Sequence, residues 1–567
     1  MSLSQMNPFL SVVLMLSVLH APANEILAAE TDAPLQVSAA PQSIKPGSRT
    51  ESMPWQDTLD PEGAVQQLRL EFASGTYVAG KFSAAGDPLH LDLVSETGVH
   101  IRRLVAADGY VDEFHFVVPS ETTYLKVQAT AAAEDRKTDF RVEFTKVSQP
   151  LTEEETTDLS TALLSPALRQ LAARSLTDSE IEEFWSALES KGTPLVEPLD
   201  DDAAIVTFFY RGARSGVRIL GSPSADHDPM FRLKGTDIWY RSYRLPASTR
   251  LSYRLAPDVP DIPGTYWDRR VAILATAQSD PLNKSPWPKS AIDPYNQKSV
   301  VELPGAPKQP FVGVQKAHCG TVDHLSFTSK TLKNTRNISI YTPADFDPND
   351  PETVLLVLFD GAAYQSVVSV PTILDNMQAS EALPQTAAVL IDNPDLDARS
   401  RELPGDSGFA EMVANEIMPL VQEKLGTSIP RDRTVIAGSS FGGLAATRLA
   451  LEFPTLFGNV VSMSGSYWWS PDSKSTNEWE YTASRVAALN AVDVRFFLSA
   501  GLFETGRADG LDILQTNRHL KTVLAAKGYD VELREYAGAH DYLVWQGALS
   551  DGLISLFGIE RNSIPKD

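Results

Sequence analysis

The spacing of apolar residues changes three times along the chain. From Gly63 to about Lys146, short runs alternate apolar and polar positions: Gln66–Phe72, Thr76–Phe82, Leu89–Val94, Glu113–Val118, Thr123–Ala129 and Phe140–Phe144. A period of two places successive side chains on opposite faces of a strand, so this segment predicts an antiparallel β-sandwich. Residues 151–192 switch to helical spacing, with Leu163, Leu168 and Leu171 followed by Ile181 to Leu188. Thr177, three residues before Glu180, has the pattern of a capping box. Alternation returns in Ile205–Tyr210, Gly216–Leu220, Gly235–Leu245 and Leu251–Leu255, a second β module that leads into a Pro-rich connection, Asp280–Pro310. Beyond it, Val354–Phe359, Ala387–Ile391, Val435–Ala437, Val460–Met463 and Val494–Ala500 are nearly continuous apolar runs, interleaved with helical patterns such as Leu444–Phe453 and Leu511–Ala526. Such runs are strands buried on both faces, and their alternation with helices predicts a parallel α/β sheet.

Length and charge narrow the classes. The 567 residues suffice for two to four domains, and 43% hydrophobic with 22% charged residues is ordinary for a globular protein. A formal net charge of -24 argues against nucleic acid or an anionic membrane surface as the main partner. Phe9–Leu19 is an apolar run of signal-peptide length, too short to span a bilayer, with small residues following at Ala21, Ala23, Ala28 and Ala29. The expectation is an exported protein, periplasmic or secreted, and a cytoplasmic one if that run is not a signal, since no Lys or Arg precedes it. Residues 30–60, rich in Pro, Ser, Ala and Gln, read as a linker. The single cysteine, Cys319, rules out a disulfide framework, no metal-ligand spacing is evident, and no further segment is long and apolar enough to cross a membrane.

The chemistry gathers around Gly438-Ser-Ser-Phe-Gly442, a G-x-S-x-G pattern between a short β-branched run and a helical one. This is the strand–turn–helix setting of a nucleophile elbow, which exposes Ser440 on a strained turn and needs glycines where larger side chains would collide. A phosphate loop fits poorly, because no G-x-x-x-x-G-K-[ST] arrangement follows. Hydrolases of this type carry the triad in the order serine, acid, histidine. Only His519 and His540 lie downstream of Ser440. His519 falls in a helical pattern, whereas His540 follows the strand-like Val531–Tyr536, at the sheet end where such folds hold their sites. Glu504, just past Val494–Ala500, is the preferred acid, and Asp541 is the fallback. His540 would take the serine proton and return it to the leaving group while the acid fixes the imidazole tautomer.

Several stretches from about residue 196 to 545 resemble the enterochelin (enterobactin) esterase family: Val206–Tyr210, Gly235–Tyr240, Ser279–Asn283, Glu302–Pro310, Asn337–Pro343, Leu358–Gly361, Arg399–Leu403, Gly438–Gly443, Ser464–Trp469 and Gly538–Asp541. The resemblance implies an immunoglobulin-like sandwich followed by an α/β-hydrolase domain. It also implies a serine carboxylic ester hydrolase with no cofactor and no metal, and a small-molecule partner, a ferric siderophore. Carried onto this chain, Ser440 is the nucleophile and the oxyanion is held by the backbone N–H of Phe441 and by one from the loop at Gly361 and Ala362. Arg399 and Arg401 are candidates for a cationic rim, with ion pairing to Asp395, Asp397 or Glu402 as the alternative. Trp468 and Trp469 would suit catechol rings, with core packing as the alternative. Residues 61–148 are similar to accessory sandwiches of the pre-peptidase C-terminal type, outside the resembling region.

The expected organisation is a signal peptide (1–29), a linker (30–60), an accessory sandwich (61–148), a helical connector (149–195), the second sandwich with its Pro-rich connection (196–310) and the catalytic domain (311–567). The expected function is hydrolysis of the ester bonds of a catecholate trilactone siderophore to release iron. One competing reading is an esterase or acyltransferase on a feruloyl or carbohydrate ester, and another is a ligand-binding protein with a vestigial hydrolase domain. The complete Ser440, Glu504 and His540 set argues against the vestigial one.

Overall fold

The computed structural model describes residues 54–558 apart from short internal stretches, the longest being 150–162 and 472–479, and also residues 42–44. The expected signal segment and most of the expected linker lie outside the described residues. Contacts divide the chain into two units: one runs to Ala247 and resumes over Ser252–Val301, and the other joins Ser248–Leu251 to Glu302–Asp567. The break thus falls at Glu302, a few residues before the expected boundary.

The second unit is built on eight strands: β1 (Thr321–Thr328), β2 (Thr335–Thr342), β3 (Val354–Phe359), β4 (Thr386–Ile391), β5 (Thr434–Ser439), β6 (Asn459–Met463), β7 (Arg495–Gly501) and β8 (Val531–Tyr536). Their order is β1-β2-β4-β3-β5-β6-β7-β8. The β1–β2 and β2–β4 pairs are antiparallel and every later pair is parallel. Strands β3 to β6 are buried at every position, which is what their continuous apolar composition requires once helices cover both faces. β8 is the outermost strand, and it carries Glu532, Arg534 and Glu535 on a partly exposed stretch, so charge blunts the open edge. β3 sits between β4 and β5, the point where strand order reverses. The chains leaving β3 and β5 turn apart there, and a crevice at the carboxyl ends of the strands is the place for a ligand. The turn after β3 begins at Asp360 and the one after β5 at Ser440.

In the other unit, the alternating runs of residues 55–148 form two sheets. One is four-stranded, ordered Trp55–Leu59, Thr138–Ser148, Tyr77–Ala85, Glu113–Val117. The other has Gln66–Leu70, Thr123–Ala129, Leu89–Ser95 and His100–Val105 in that order, with Gln42–Ile44 beside the first. Both contribute to one core, in which Trp55, Phe114 and Phe140 from the first meet Leu68, Leu91 and Leu125 from the second. Helices Pro166–Ala172 and Asp178–Lys191 follow, the second opening on the reciprocal Thr177–Glu180 cap that the sequence predicts. Leu168, Ile181 and Trp185 pack on Phe209, Ile238 and Tyr240 of the next sheet, ordered Leu195–Pro198, Ala203–Arg211, Ile238–Pro246, Phe231–Arg232. A further sheet takes Val217–Gly221, Arg250–Pro257, Lys298–Glu302 and Pro286–Trp287. Its last two strands lie where only a Pro-rich connection was expected. A two-residue strand that starts on proline shows no period to read.

Within this unit the first pair of sheets is joined to the later segment by buried polar contacts. The Arg102 guanidinium donates to the carbonyls of Ala275 (2.9 Å) and Leu274 (3.2 Å) and lies 4.7 Å from the Tyr295 ring centre. Burial holds its pKa below the usual arginine value. Asp293 accepts the Arg103 backbone N–H at 2.8 Å and meets His100 Nε2 at 3.2 Å. Tyr77 and Ala79 pack on Ile262, Ala272 and Ala275.

Candidate active site

Ser440 has φ 58° and ψ −120°, a conformation that a non-glycine residue adopts only at a cost of order 1–3 kcal/mol. Its surroundings enforce that turn. The Ser440 N–H donates to the Met463 carbonyl at 2.9 Å, and the Ser440 carbonyl accepts from Leu444 and Ser466, both at 3.1 Å. A Cβ at Gly438 would lie 2.5 Å from the Gly442 carbonyl carbon, and one at Gly443 would lie 2.6 Å from Ser462 Oγ. Strand and helix therefore touch backbone to backbone beneath the serine, as a nucleophile elbow requires.

His540 and Glu504 meet at 2.5 Å, Nδ1 to Oε1. The backbone geometry behind that contact is tight: a Cβ at Gly501 would lie 2.5 Å from the Gly538 carbonyl oxygen, and Phe503 donates to that same oxygen at 3.1 Å. The turn carrying Glu504 and the loop carrying His540 are thus pinned together. The other Glu504 oxygen, Oε2, accepts from the Gly501 N–H at 2.6 Å and from Ser464 Oγ at 2.9 Å. Asp541 instead caps the following helix, accepting the Leu543 N–H at 3.2 Å. With Nδ1 committed to Glu504, Nε2 is the ring nitrogen left for proton transfer. Among the described residues the hydrogen bond found at Ser440 Oγ is to Ser466 Oγ, at 3.2 Å, and not to His540. Catalytic hydrogen bonds of this kind commonly tighten only when substrate is bound.

The turn after β3 is equally constrained. Asp360 takes φ 58°, and a Cβ at Gly361 would come within 2.9 Å of the Leu390 carbonyl carbon. The Ala362 N–H is already directed to Asp392 Oδ1 at 3.3 Å, so its expected role as an oxyanion donor requires that bond to be given up. Burial raises the Asp392 carboxyl to about 7, against two backbone N–H donors that lower it. Phe441, the other expected donor, is the first residue of the helix after the serine, where backbone N–H groups are free of intrahelical partners.

Arg399 departs from expectation. It is 7% exposed and binds Asp360 through two contacts, Nε to Oδ1 at 2.6 Å and Nη2 to Oδ2 at 2.7 Å. Asn393 adds a third donor to Asp360 at 2.8 Å. Arg399 is thus a buried structural cation, not part of a rim: its charge is offset by a partner 39 residues away in sequence, Asp360, and not by the neighbours considered from the sequence. Arg401 keeps an exposed side chain, 3.2 Å from Glu402, and Glu402 is itself buried and bound by Arg336 at 2.7 Å. Trp468 is buried against the Phe441 ring at 5.7 Å, the core alternative. Trp469 is half-buried, edge-on to Tyr481 at 6.1 Å. Among the described residues no cluster of His, Cys, Asp or Glu has the arrangement to hold a metal ion.

The family described as "Enterochelin esterase, N-terminal" matches residues 205–312 and the family "Putative esterase" matches residues 329–556. An iron(III) enterobactin esterase of Escherichia coli O6:H1 is 31% identical over 401 residues, covering 66% of this chain and 96% of that relative. The chain belongs to the enterochelin esterase family. An iron(III) salmochelin esterase of the same Escherichia coli is 30% identical over 412 residues, covering 69% of this chain and 96% of its own. The crystal structure of the enterobactin esterase of Shigella flexneri in the presence of enterobactin superposes with a TM-score of 0.54 at 31% identity, over 66% of this chain and 97% of that one. Ser440, Glu504 and His540 all fall within the esterase match, while residues 54–148 lie ahead of both family matches.

Three side chains at the site escaped sequence reasoning: Ser464, Ser466 and Trp545. The first two sit in Ser464–Trp469, a stretch notable in the sequence for its tryptophans, and Trp545 has the apolar setting of a core residue. Trp545 is indeed buried, yet its ring also stands edge-on to His540 at 4.8 Å.

Proposed function

We propose that this enterochelin esterase-family enzyme hydrolyses the ester bonds of an enterobactin-like catecholate trilactone, freeing the iron it carries. The observation that carries the chemistry is the Glu504–His540 contact in the same unit as a serine held on a strained elbow. Ser440 Oγ attacks the ester carbonyl as His540 Nε2 takes its proton. Glu504, ionised and hydrogen-bonded to Nδ1, stabilises the imidazolium that forms. The tetrahedral oxyanion is met by the Phe441 N–H and by a donor of the Gly361–Ala362 turn. Collapse expels the serine hydroxyl of the substrate, protonated by His540, and leaves an acyl-enzyme that water opens by the same route. The substrate class rests on the relatives, which are iron(III) enterobactin and salmochelin esterases. Arg401 and Trp469 are the side chains assigned to an anionic, aromatic ligand, since both keep exposed surface. Arg399 acts below them by fixing Asp360 and with it the turn after β3.

The same proposal places the protein outside the cytoplasm, on the strength of the apolar run Phe9–Leu19, and treats the sheets of residues 55–148 as an accessory β-sandwich ahead of a second sandwich and an α/β-hydrolase domain. A panel of esters, including the trilactone with and without ferric iron and a feruloyl ester, followed by product masses, tests the substrate. Linear trimer, dimer and monomer from the trilactone are expected. Turnover of the feruloyl ester alone would overturn the assignment.

A further inference from the structure

The acid of the triad is held from behind by a chain of donors. Trp545 Nε1 donates to Ser464 Oγ at 2.9 Å, and Ser464 Oγ donates to Glu504 Oε2 at 2.9 Å. The direction is fixed by chemistry. An indole N–H can only donate, so it takes a lone pair of Ser464 and leaves the single hydroxyl proton for the carboxylate. All three residues are buried: Trp545 is 1% exposed, Ser464 2% and Glu504 5%. A carboxylate so placed needs donors to offset the loss of water, and Ser464 with the Gly501 N–H occupies Oε2 fully. Oε1 is then the oxygen aimed at His540.

The backbone shows the same arrangement. Ser464 has φ 49°, a left-handed conformation rare for serine, and its N–H donates to the Ser499 carbonyl on β7 at 2.7 Å. Buried Asn517 donates to the neighbouring Gly465 carbonyl at 2.9 Å, which fixes the turn from the helix side. Trp545 acts at both ends of the pair, since its ring is T-shaped to His540 (4.8 Å, 86°) and is itself braced edge-on by Tyr542 at 5.0 Å.

We propose that Ser464 and Trp545 are positioning residues of the catalytic acid, a two-member relay that locks the Glu504 carboxylate in the rotamer that orients His540. This rests on Glu504 being the acid. Neither residue touches the reacting atoms, so their loss should lower kcat and leave KM alone. They act through Glu504, so their loss should cost nothing once Glu504 is disabled.

The experiment compares wild type, Ser464→Ala, Trp545→Phe, Glu504→Gln and the double variant Ser464→Ala/Glu504→Gln on a small neutral ester, with melting temperatures alongside. Removing a hydrogen bond to a charged group should lower kcat for Ser464→Ala by roughly 10- to 100-fold with KM unchanged. Trp545→Phe keeps the ring and removes only the N–H, so a smaller drop in kcat is expected, and it tests the relay independently should Ser464→Ala misfold. The double variant should match Glu504→Gln alone. Wild-type kcat in a folded Ser464→Ala, or a further loss in the double variant, overturns the relay and leaves the triad standing. Wild-type turnover by Glu504→Gln removes the acid assignment and the relay together.

Discussion

Asp392 illustrates how a single buried carboxyl can work against stability. Both of its backbone donors, Ala362 at 3.3 Å and Asn393 at 3.1 Å, go to Oδ1. Asparagine could keep both bonds and shed the charge. Because the folded carboxyl titrates near 7, well above its ordinary value of 3.8, the native state holds its proton more tightly than the unfolded chain. The associated stability is present at acid pH and is lost as pH rises through 7. Asp392→Asn should therefore melt higher than wild type at pH 8–9, by an amount on the order of a few kcal/mol, with the gap closing towards pH 4. Thermal melts across pH check this, and a variant less stable than wild type at pH 9 would count against a costly buried charge. The same scale shows why Arg399 could not be read from the sequence. Its neighbours Asp397 and Glu402 offered plausible partners, but the carboxylate that neutralises it belongs to another strand end, and local spacing carries no trace of that.

At the scale of the element, the turn after β5 follows from its glycines. The clash at Gly438 is with backbone, the Gly442 carbonyl carbon at 2.5 Å and oxygen at 2.7 Å, so no side chain can rotate to relieve it. Gly438→Ala should cost about 1–3 kcal/mol in stability and shift Ser440 enough to lower turnover by roughly 100-fold. Near-normal kcat with an unchanged melting temperature would show that the turn is softer than its geometry implies. This element was legible because a β-branched run, the G-x-S-x-G pattern and a helical run follow one another directly in the chain. The Glu504–His540 contact was legible for a similar reason, since Glu504 follows an apolar run, His540 follows an alternating strand, and the two keep the order expected after a serine. Ser464 and Trp545 were not. The polar chain links residues 40 and 81 positions apart, and each has an adequate explanation on its own, one as a turn serine and the other as a core tryptophan.

For the whole molecule, the α/β character of the C-terminal part was legible in its alternating apolar runs and helical patterns, while the seam inside the first unit could not be foreseen. A linker of mixed composition and an accessory module suggest independence, yet Arg102 reaches across to two carbonyls and Asp293 reaches back to Arg103. Arg102→Ala would leave those carbonyls without donors in a buried site, at an expected cost of about 2–4 kcal/mol. Limited proteolysis should then proceed far faster than in wild type; unchanged proteolysis and melting would mean the seam adds nothing. The central claim concerns Ser440, and the most direct test is turnover of the iron-loaded trilactone by wild type and Ser440→Ala, read by product mass. Wild type should give linear trimer and then smaller fragments, and Ser440→Ala should lose at least ~10³-fold in kcat at an unchanged melting temperature. Equal turnover by the two proteins would contradict the account.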